Sequence, residues 1–263
     1  MSHTEITDAL RALLHALPET HPILDPASIS PKRRKDLREL IQTALARLEA
    51  LDANLDPIRL PSLVFDPANP EVVGKLIGDT LLEQPRIPIE KLHRFYGSGV
   101  YAIYYRGTFP AYSPASGTDT PLYVGKADPS NPEARTPKEQ GTKLWGRLSG
   151  DHAKNIRRVN NLDIDDFDCR YLVVRSAWQG TAENYLINIF KPVWNDEVAI
   201  CFGFGKHGDD PGTRRNTRSP WDTLHPGRPW ATKEGNLPNP LSAEEITENI
   251  LLHYKQNPPR PVR

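Results

Sequence analysis

Cysteine is scarce in this chain, and its two cysteines stand apart from any pattern of metal ligands. Cys169 lies within an apolar stretch, Cys201 is isolated, and neither belongs to a CxxC motif or a Cys/His cluster. The sequence therefore gives no basis for a disulfide framework or a cysteine-based zinc site. Both residues are predicted to be ordinary core or surface thiols in a reducing cytoplasm.

Long apolar runs are also missing, since none approaches the ~20 residues that a membrane-spanning helix needs. The first ten residues, MSHTEITDAL, lack the basic stretch followed by an apolar one that marks an export signal. We therefore expect a cytoplasmic protein. With 263 residues, 38% of them hydrophobic and 25% charged, the chain has ordinary globular composition and can form one large domain or two small ones.

An excess of charge of one sign is absent as well, because 33 Lys and Arg residues balance 33 Asp and Glu residues. This overall balance hides an uneven distribution of basic and acidic residues along the chain. Residues 1–90 carry 10 basic against 14 acidic side chains, whereas residues 126–158 carry 8 against 4 and residues 203–233 carry 6 against 3. These two basic segments can meet phosphate groups, so the neutral total does not exclude a nucleic-acid partner.

A long amphipathic helix is predicted in the N-terminal part. Ser30 provides a capping hydroxyl, and Pro31 suits the first helical position. Apolar residues then recur at steps of three and four until the helix ends near residues 52–57: Leu37, Leu40, Ile41, Ala44, Leu45, Leu48 and Leu51. This helix either packs on the main domain or serves as a dimerisation element. Prolines punctuate residues 56–90, which predicts irregular structure around a short helix near 71–83.

Further downstream the chain predicts the strands and helices of an α+β fold. A strand over 99–105 is rich in aromatic and β-branched residues, and its alternation places Tyr101, Ile103 and Tyr105 on one face. A second strand over 122–125 comes soon after and should pair with it antiparallel. The later elements are a helical stretch over 143–159 interrupted near Gly150, a strand over 167–174, and a helix capped by Thr181 and ended by Pro192.

Two tripeptides on the paired strands carry the functional signal. Gly99-Val100-Tyr101 and Tyr123-Val124-Gly125 are each uninformative alone, because Gly-x-Tyr at a strand start usually marks a packed tyrosine. The order of the polar residues downstream is informative: Arg147 on the next helix, His152 shortly after it, Glu183 in the first turn of a later helix, and Asn195 beyond it. The two tripeptides, followed by these residues in this order, resemble the motifs of the GIY-YIG nuclease superfamily. The resemblance implies a small central antiparallel sheet flanked by helices, and an active site that cleaves DNA.

Hydrolysis of a phosphodiester explains these residue types. The reaction needs an activated water, neutralised charge on the non-bridging oxygens and help for the leaving alkoxide. Glu183 suits a hard divalent cation, Mg²⁺ or Mn²⁺, which can bind through one carboxylate while it keeps most of its waters. Arg147 suits the phosphate, because its planar guanidinium can donate two parallel hydrogen bonds.

Tyr101 is implied by the resemblance to be the general base or its immediate relay, with Tyr123 orienting water or phosphate. An unperturbed tyrosine, with a pKa near ~10, is protonated at neutral pH. We therefore expect nearby positive charge to lower the pKa of Tyr101. Lys126 and Arg147 are the candidates for this charge, and His152 can relay the proton instead.

Each of these residues also has a plain structural explanation. Glu183 can be a favourable charge at a helix N-terminus, and Arg147 and Lys126 can be solvated surface charges. His152 can be a helix-end residue. Asn195 can cap a turn, although the resemblance implies that it holds the active site or the phosphate. The five-residue gap from Arg147 to His152 departs from the expected pattern, since it does not align both on one α-helical face.

Within the superfamily the chain resembles Type II restriction endonucleases that cut a short palindrome made only of G and C. The resemblance covers roughly residues 95–232 and leaves residues 1–60 without a counterpart. It lies in the stretches Leu122-Tyr123-Val124-Gly125-Lys126-Ala127-Asp128-Pro129, Ala182-Glu183 with Leu186-Ile187-Asn188, Lys191-Pro192-Val193-Trp194-Asn195, and Trp221-Asp222-Thr223-Leu224-His225-Pro226-Gly227-Arg228. The last stretch lies beyond the catalytic core, which leaves DNA contact, oligomer formation or completion of the fold as its role.

A palindromic target implies a homodimer or a higher homo-oligomer, because two equivalent active sites facing opposite strands require a twofold axis. In double-stranded DNA, guanine is most naturally read by Arg or Lys side chains that donate to N7 and O6 in the major groove. The candidates for DNA contact are Arg135, Lys138, Lys143, Lys206, Arg214, Arg215, Arg218 and Arg228. Each can instead touch only phosphate or solvent.

The sequence therefore predicts three parts. They are a helical and irregular N-terminal extension over 1–90, a GIY-YIG catalytic core over 91–200 with a DNA-contacting insertion near 127–143, and an irregular C-terminal extension over 201–263 for DNA binding or oligomerisation. The expected function is that of a Type II restriction endonuclease. The alternatives are a homing or repair nuclease with the same core, and a catalytically silent GIY-YIG domain that binds DNA or a partner.

Overall fold

The computed structural model of the chain describes residues 2–17, 30–55, 58, 65–175, 177–205, 217–232 and 236–261. The chain divides into two compact units, Met1–Val64 and Phe65–Arg263. In the first unit, helix α1 spans His3–Ala16 and helix α2 spans Pro31–Leu55, which confirms the predicted long helix. The two predicted roles of α2, packing on the main domain or dimerisation, stay predictions.

The second unit contains a small antiparallel sheet and the helices that cover it. In the described part of the chain four strands form this sheet in the order β1-β4-β2-β3: β1 Ile87–Pro88, β2 Gly99–Tyr105, β3 Tyr123–Ala127 and β4 Phe167–Val173. The helical elements are α3 Pro70–Glu83, α4 Lys143–Trp145, a π-helical turn Gly146–His152, α5 Ala153–Arg157, α6 Gln179–Phe190, α7 Pro220–Leu224 and α8 Ala243–Gln256. Short 3₁₀ turns lie at Ile89–Lys91, Pro110–Tyr112, Ile164–Asp166 and Pro229–Thr232. The architecture confirms the predicted α+β fold.

Strand β2 is the centre of this unit, because it pairs antiparallel with β3 on one side and β4 on the other and is buried along its whole length. Its alternation divides the core as predicted. Tyr101, Ile103 and Tyr105 belong to the apolar cluster on one face of the sheet. The residues between them, Val100, Ala102 and Tyr104, belong to a second cluster together with side chains of α3 and α6. The sheet is therefore covered on both faces.

Two predicted features of α6 are wrong. Thr181 does not cap α6, since the helix begins at Gln179 and its N-cap position is Trp178, whose side chain makes no capping hydrogen bond. Glu183 therefore lies in the second turn of α6, and the first turn contains no acidic residue. The alternative explanation of Glu183 as a favourable charge at a helix N-terminus therefore loses support, because the interaction of a carboxylate with the helix dipole fades beyond the first turn.

The C-terminal part is more regular than predicted. Helix α8 begins with a capping box, in which the Ser242 hydroxyl accepts from the Glu245 N–H and the Glu245 carboxylate accepts from the Ser242 N–H. Ile246, Ile250 and Tyr254 recur at four-residue steps and are buried in the first core cluster. The periodic apolar face explains why this segment folds as a helix rather than as irregular structure.

Residues 65–90 of the predicted N-terminal extension lie in the compact unit that carries the sheet. There α3 packs on α6, and β1 pairs with β4 through Ile87 opposite Cys169. The predicted domain boundaries at residues 90 and 200 remain predictions. Within the described ranges, no helix is both long enough and apolar enough to cross a membrane.

The distinctive stretch 221–228 completes the fold. Trp221, His225 and Arg228 are fully buried, and Trp221 packs at right angles to Trp194 in the main core. The Tyr112 hydroxyl contacts His225 Nε2, and His225 Nδ1 contacts the Asn161 side-chain oxygen at 2.9 Å. Of the three roles open for this stretch, its burial supports fold completion.

His225 should make the protein sensitive to mild acid. Burial, with the charge of Arg228, lowers the pKa of His225 to about 3, whereas an unfolded histidine titrates near ~6.5. Between these two pKa values the unfolded chain binds a proton at this histidine and the folded chain does not. The free energy of unfolding therefore falls as the pH falls below ~6.5. In wild type this side chain contributes a slope of about 1.4 kcal/mol per pH unit below ~6.5.

Urea unfolding at several pH values between 5 and 7.5 measures that slope. His225→Gln should reduce it by the contribution of one proton, whereas the exposed His93→Gln should leave it unchanged. An equal slope in wild type and His225→Gln would contradict the assignment.

Candidate active site

The pairing of β2 with β3 brings the two motif tyrosines onto one face. Tyr101 lies opposite Gly125, and Tyr123 lies opposite Ile103, so both rings point to the same side of the sheet. Their ring centres are 6.1 Å apart. A Cβ atom on Gly125 would clash with the Tyr101 hydroxyl oxygen. The glycine of the second tripeptide is therefore needed because the Tyr101 hydroxyl occupies the space above it.

Arg147 and His152 come from the π-helical turn, which resolves their five-residue spacing. In an α-helix residues five apart point about 140° away from each other. Here the Ala153 N–H donates to the Leu148 carbonyl, an i→i+5 bond that lets one turn hold an extra residue. Both side chains line the same cleft. The predicted interruption near Gly150 is thus a widened turn in a continuous helical segment.

His152 is in direct contact with Tyr101. The Tyr101 hydroxyl oxygen lies 2.5 Å from His152 Nε2, and both side chains are 2% exposed. Burial, together with the positive charge of Arg147, lowers the pKa of His152 to about 3, so the ring is neutral at physiological pH. A neutral imidazole can accept a hydrogen bond at one nitrogen, so Nε2 is suited to receive the Tyr101 proton.

The expected lowering of the Tyr101 pKa is wrong. Burial raises the pKa of Tyr101 well above its usual range, and Tyr123 raises it further. Arg147 lowers it, as predicted, but by less than burial raises it. Lys126 forms an ion pair with Asp128 at 2.9 Å, and its charge acts instead on the pKa of Glu183. Tyr101 is therefore a protonated phenol in contact with a neutral imidazole.

Phe204 is a member of this cluster that the sequence did not reveal. Its ring stacks on His152 with centres 4.7 Å apart and planes 17° from parallel, and it meets Tyr123 edge-on. Phe204 lies in a segment that the sequence marked only as basic. No spacing or motif distinguishes this phenylalanine, because its position depends on a chain segment that returns from beyond the catalytic core.

Glu183 approaches the cleft from α6 and is partly buried. Burial raises the pKa of Glu183 to about 7, against the lowering effect of the Lys126 charge, and Glu197 raises it further. A carboxylate held near other acidic groups fits a divalent cation, which would supply the missing positive charge. The described residues contain no group of three or more His, Cys, Asp or Glu side chains arranged for a metal. Glu183 is the predicted carboxylate for such a cation, and the cleft that it lines is open to water.

Asn195 holds the edge strand β3 from outside the sheet. Its side-chain oxygen accepts from the Val124 N–H at 3.0 Å, and its side-chain nitrogen donates to the Val124 carbonyl at 2.9 Å. The amide thus takes the place of a further strand at the centre of the second motif. Because Tyr123 and Gly125 flank Val124, Asn195 fixes the backbone that presents the cleft, rather than capping a turn.

All seven predicted site residues line one cleft of about 710 Å³: Tyr101, Tyr123, Lys126, Arg147, His152, Glu183 and Asn195. Their individual catalytic roles stay predictions. Four acidic residues that the sequence did not single out also line it: Asp128, Asp151, Asp196 and Glu197. The cleft is lined by buried aromatic side chains and by charged ones, among which Arg147 forms an ion pair with Asp151 at 3.1 Å.

The candidates for DNA contact fall into three groups. Arg135 and Lys138 are exposed, and the exposed Lys143 lines the cleft. Arg218 is half-buried and donates to the Ala231 carbonyl. Lys206, Arg214 and Arg215 lie outside the described residues.

Arg228 is corrected by the structure, because its side chain is fully buried. Its guanidinium is ion-paired with Asp222 and donates to backbone carbonyls of the chain itself. A side chain enclosed in this way does not reach a DNA base or phosphate.

Replacing Asn195 by aspartate tests the clamp on β3. The carboxylate keeps the acceptor for the Val124 N–H but places an oxygen opposite the Val124 carbonyl, which loses its donor. We expect the free energy of unfolding to fall by about 1–3 kcal/mol and the Val124 amide to exchange faster with solvent. The exposed Asn188→Asp, on α6, is the matched control and should change stability by less than about 0.5 kcal/mol. Equal stability of the two variants would show that the clamp is dispensable.

Comparison with known proteins places this geometry in a family. The family model described as the Eco29kI GIY-YIG domain matches residues 93–254, more than half of the chain. A comparison with curated proteins gave no match. The matched region contains β2 to β4, the π-helical turn, α6 and most of α8, and therefore the complete cleft. The chain belongs to the GIY-YIG nucleases, in the Eco29kI family of restriction endonucleases.

Proposed function

We propose that the protein is a Type II restriction endonuclease, which hydrolyses phosphodiester bonds in double-stranded DNA with a divalent cation. The observation that carries the proposal is the convergence of Tyr101, Arg147 and Glu183 on one cleft with His152 in contact with Tyr101. These residues come from a strand, a π-helical turn and a separate helix. Their meeting supplies a proton-transfer pair, a phosphate-binding cation and a carboxylate for metal in one place.

Arg147 is the residue suited to the scissile phosphate. It is exposed, lines the cleft, and its charge lowers the pKa of both Tyr101 and Tyr123. The guanidinium and the two phenols line the same cleft, which supports a common action on one phosphate. A planar guanidinium can neutralise charge on two non-bridging oxygens at once. Lys126 and the exposed Lys143, which line the same cleft, add positive charge for the flanking backbone.

Proton transfer runs through Tyr101 and His152. Burial keeps Tyr101 protonated, so the phenol has to release its own proton as it takes one from the attacking water. His152 Nε2, 2.5 Å from the phenolic oxygen, is the acceptor within reach. Its other ring nitrogen, Nδ1, is buried and has no hydrogen-bond partner among the described residues. Tyr123, on the same wall, is suited to orient the water or the phosphate.

Glu183 would hold Mg²⁺ or Mn²⁺, which supplies Lewis-acid charge for the leaving oxygen and lowers the pKa of bound water. The single carboxylate fits this ion, since Mg²⁺ commonly keeps several waters and uses one or two protein carboxylates. Binding the cation requires the deprotonated form of Glu183. Because burial places the pKa of Glu183 at about 7, metal affinity should weaken as pH falls below neutrality.

The target we propose is a short GC-rich palindrome, and the assembly a homodimer or higher homo-oligomer. The proposed target is supported by the motif stretches at 122–129 and 191–195, which resemble those of enzymes that cut GC-only palindromes. The proposed homo-oligomer is supported by the twofold symmetry of such a target, because two cuts on opposite strands need two equivalent clefts. Arg135, Lys138 and Lys143 are exposed, lie in the segment 127–143 and remain candidates for DNA contact, as does the half-buried Arg218.

Incubation of the purified protein with plasmid DNA and Mg²⁺ tests this function. Discrete fragments of reproducible length support a site-specific endonuclease. Nonspecific or structure-dependent nicking would point to a homing or repair nuclease with the same core. Complete absence of cutting at all Mg²⁺ and Mn²⁺ concentrations would indicate a catalytically silent DNA-binding domain.

Glu183→Ala should abolish cleavage while leaving DNA binding largely intact, because it removes the carboxylate for the metal and no group that contacts DNA. Plasmid cleavage in Mg²⁺ and gel-shift binding in Ca²⁺ measure the two properties separately. Glu133→Ala, at an exposed position of the loop after β3, is the control and should cut normally. A Glu183→Ala protein that cuts at a near wild-type rate would refute the metal assignment.

Tyr101→Phe removes only the phenolic oxygen and should lower the single-turnover cleavage rate by about 10²–10⁴-fold. Tyr104→Phe is the matched control, since Tyr104 lies on the same strand but belongs to the cluster on the opposite face of the sheet. Its rate should remain within about twofold of wild type. Comparable rates for the two variants would remove Tyr101 from the proton path.

A further inference from the structure

The stretch 221–228 reaches the active site through a buried ion pair. Arg228 Nε donates to Asp222 at 2.6 Å, with both side chains at most 3% exposed. The second carboxylate oxygen of Asp222 accepts from the Ser219 hydroxyl at 2.8 Å. The guanidinium also lies 4.3 Å and 4.5 Å from the ring centres of Trp221 and Trp230. This charge is paired, hydrogen-bonded and packed, so its position is fixed.

The remaining donors of Arg228 hold one wall of the cleft. Nη1 donates to the Phe204 carbonyl at 2.8 Å, and Nη2 donates to the Gly203 carbonyl at 2.5 Å. The Phe204 carbonyl accepts a second bond, from the Asn155 side chain at 3.1 Å. Gly203 and Gly205 line the cleft. Two glycines give this segment little conformational restraint of its own, so the bonds from outside define its course.

Phe204 transmits this restraint to the proton-transfer pair. Its ring stacks on His152 at 4.7 Å, while Trp194 packs on it at 4.5 Å and Trp221 at 5.4 Å. His152 Nδ1 has no hydrogen-bond partner in the described part of the chain, so no polar group there fixes that edge of the ring. The orientation of the ring is therefore set by the stacked phenyl ring of Phe204, the tilted ring of Tyr123 at 5.2 Å and the contact with Tyr101.

We infer that Arg228 and Phe204 are positioning residues for His152, and that the Asp222–Arg228 pair exists to hold segment 203–205 in place. The inference rests on the proposed function, because it assigns these residues to the proton path of that reaction. Neither touches DNA or the reacting atoms. Both act by keeping His152 Nε2 within hydrogen-bond distance of the Tyr101 hydroxyl, where a displacement of about 1 Å is sufficient to slow a reaction about 10²-fold.

The test combines variants of the two positioning residues with removal of the His152 ring that they position. Phe204→Leu keeps apolar volume but loses the stacked ring, and Arg228→Lys keeps the charge beside Asp222 but loses the fork that reaches two carbonyls. Under enzyme excess, each should slow Mg²⁺-dependent cutting of supercoiled plasmid by about 10- to 100-fold. In a His152→Ala background neither should slow cutting further, because the group they position is absent.

A matched control separates positioning from general loss of stability. Phe167→Leu removes a fully buried ring of the same core, whose ring neighbours are Tyr105 and Trp194. It should lower Tm as much as Phe204→Leu does while leaving the cutting rate within about twofold of wild type at a temperature well below Tm. Additive losses in the His152→Ala background would overturn the inference.

A second readout does not depend on cleavage. The His152 ring protons, identified in NMR spectra by their loss in His152→Gln, should shift in Phe204→Leu and Arg228→Lys and stay in place in Phe167→Leu. Unchanged His152 signals in the first two variants would overturn the inference. If wild type cuts no plasmid, the proposed function fails, whereas these signals still decide whether Phe204 and Arg228 place the ring.

A measurement of DNA affinity tests the alternative that Arg228 contacts DNA. Gel-shift binding to plasmid-derived duplex in Ca²⁺ should give the same Kd, and the same dependence on salt, for Arg228→Lys and wild type. A weaker Kd with a shallower salt dependence would place Arg228 on a phosphate and overturn the inference.

Discussion

The contact between the Tyr101 hydroxyl and His152 Nε2, made inside an apolar environment, is the interaction on which the cleft depends. Burial raises the pKa of Tyr101 and lowers the pKa of His152, so both groups are neutral. A neutral donor beside a neutral acceptor makes a stable hydrogen bond where a charged pair would carry a large desolvation penalty. The proton path proposed above uses this bond, because Tyr101 reaches the cleft and His152 Nε2 lies directly behind its hydroxyl oxygen.

The surroundings of this pair reflect that requirement. Gly125 leaves room for the Tyr101 hydroxyl, and Phe204 covers the His152 ring. Asn195 fixes the strand that carries Gly125, and the buried Asp222–Arg228 pair fixes the segment that carries Phe204. The charged side chains that line the cleft are more accessible, since Glu183 is half-buried and Arg147 is exposed. The cleft therefore combines a buried tyrosine–histidine pair with charged side chains that solvent can reach.

Sequence reasoning succeeded where local pattern decides structure. Alternation along 99–105 predicted which side chains of β2 share a face, and the order of the two tripeptides with Arg147, Glu183 and Asn195 predicted the cleft. It failed where an irregular turn or burial decides. The spacing of Arg147 and His152 conflicts with an α-helix, and only the π-helical turn brings both to one side. The sign of the Tyr101 pKa shift depends on burial, which a list of nearby charges does not contain.

By itself, the sequence determined the α+β class, the residues that converge on the cleft and the family, because strand alternation, helix periodicity and motif order are properties of neighbouring positions. Only the tertiary structure shows that Arg228 is buried rather than exposed to DNA, and that Phe204 packs on His152. Both outcomes come from the packing of residues 203–205 and 219–228 onto the core, where hydrogen bonds, an ion pair and an aromatic stack form between segments that are separate in the chain. Contacts of this kind leave no periodic signal, since their energy depends on which surfaces meet and not on the order of residues within either one.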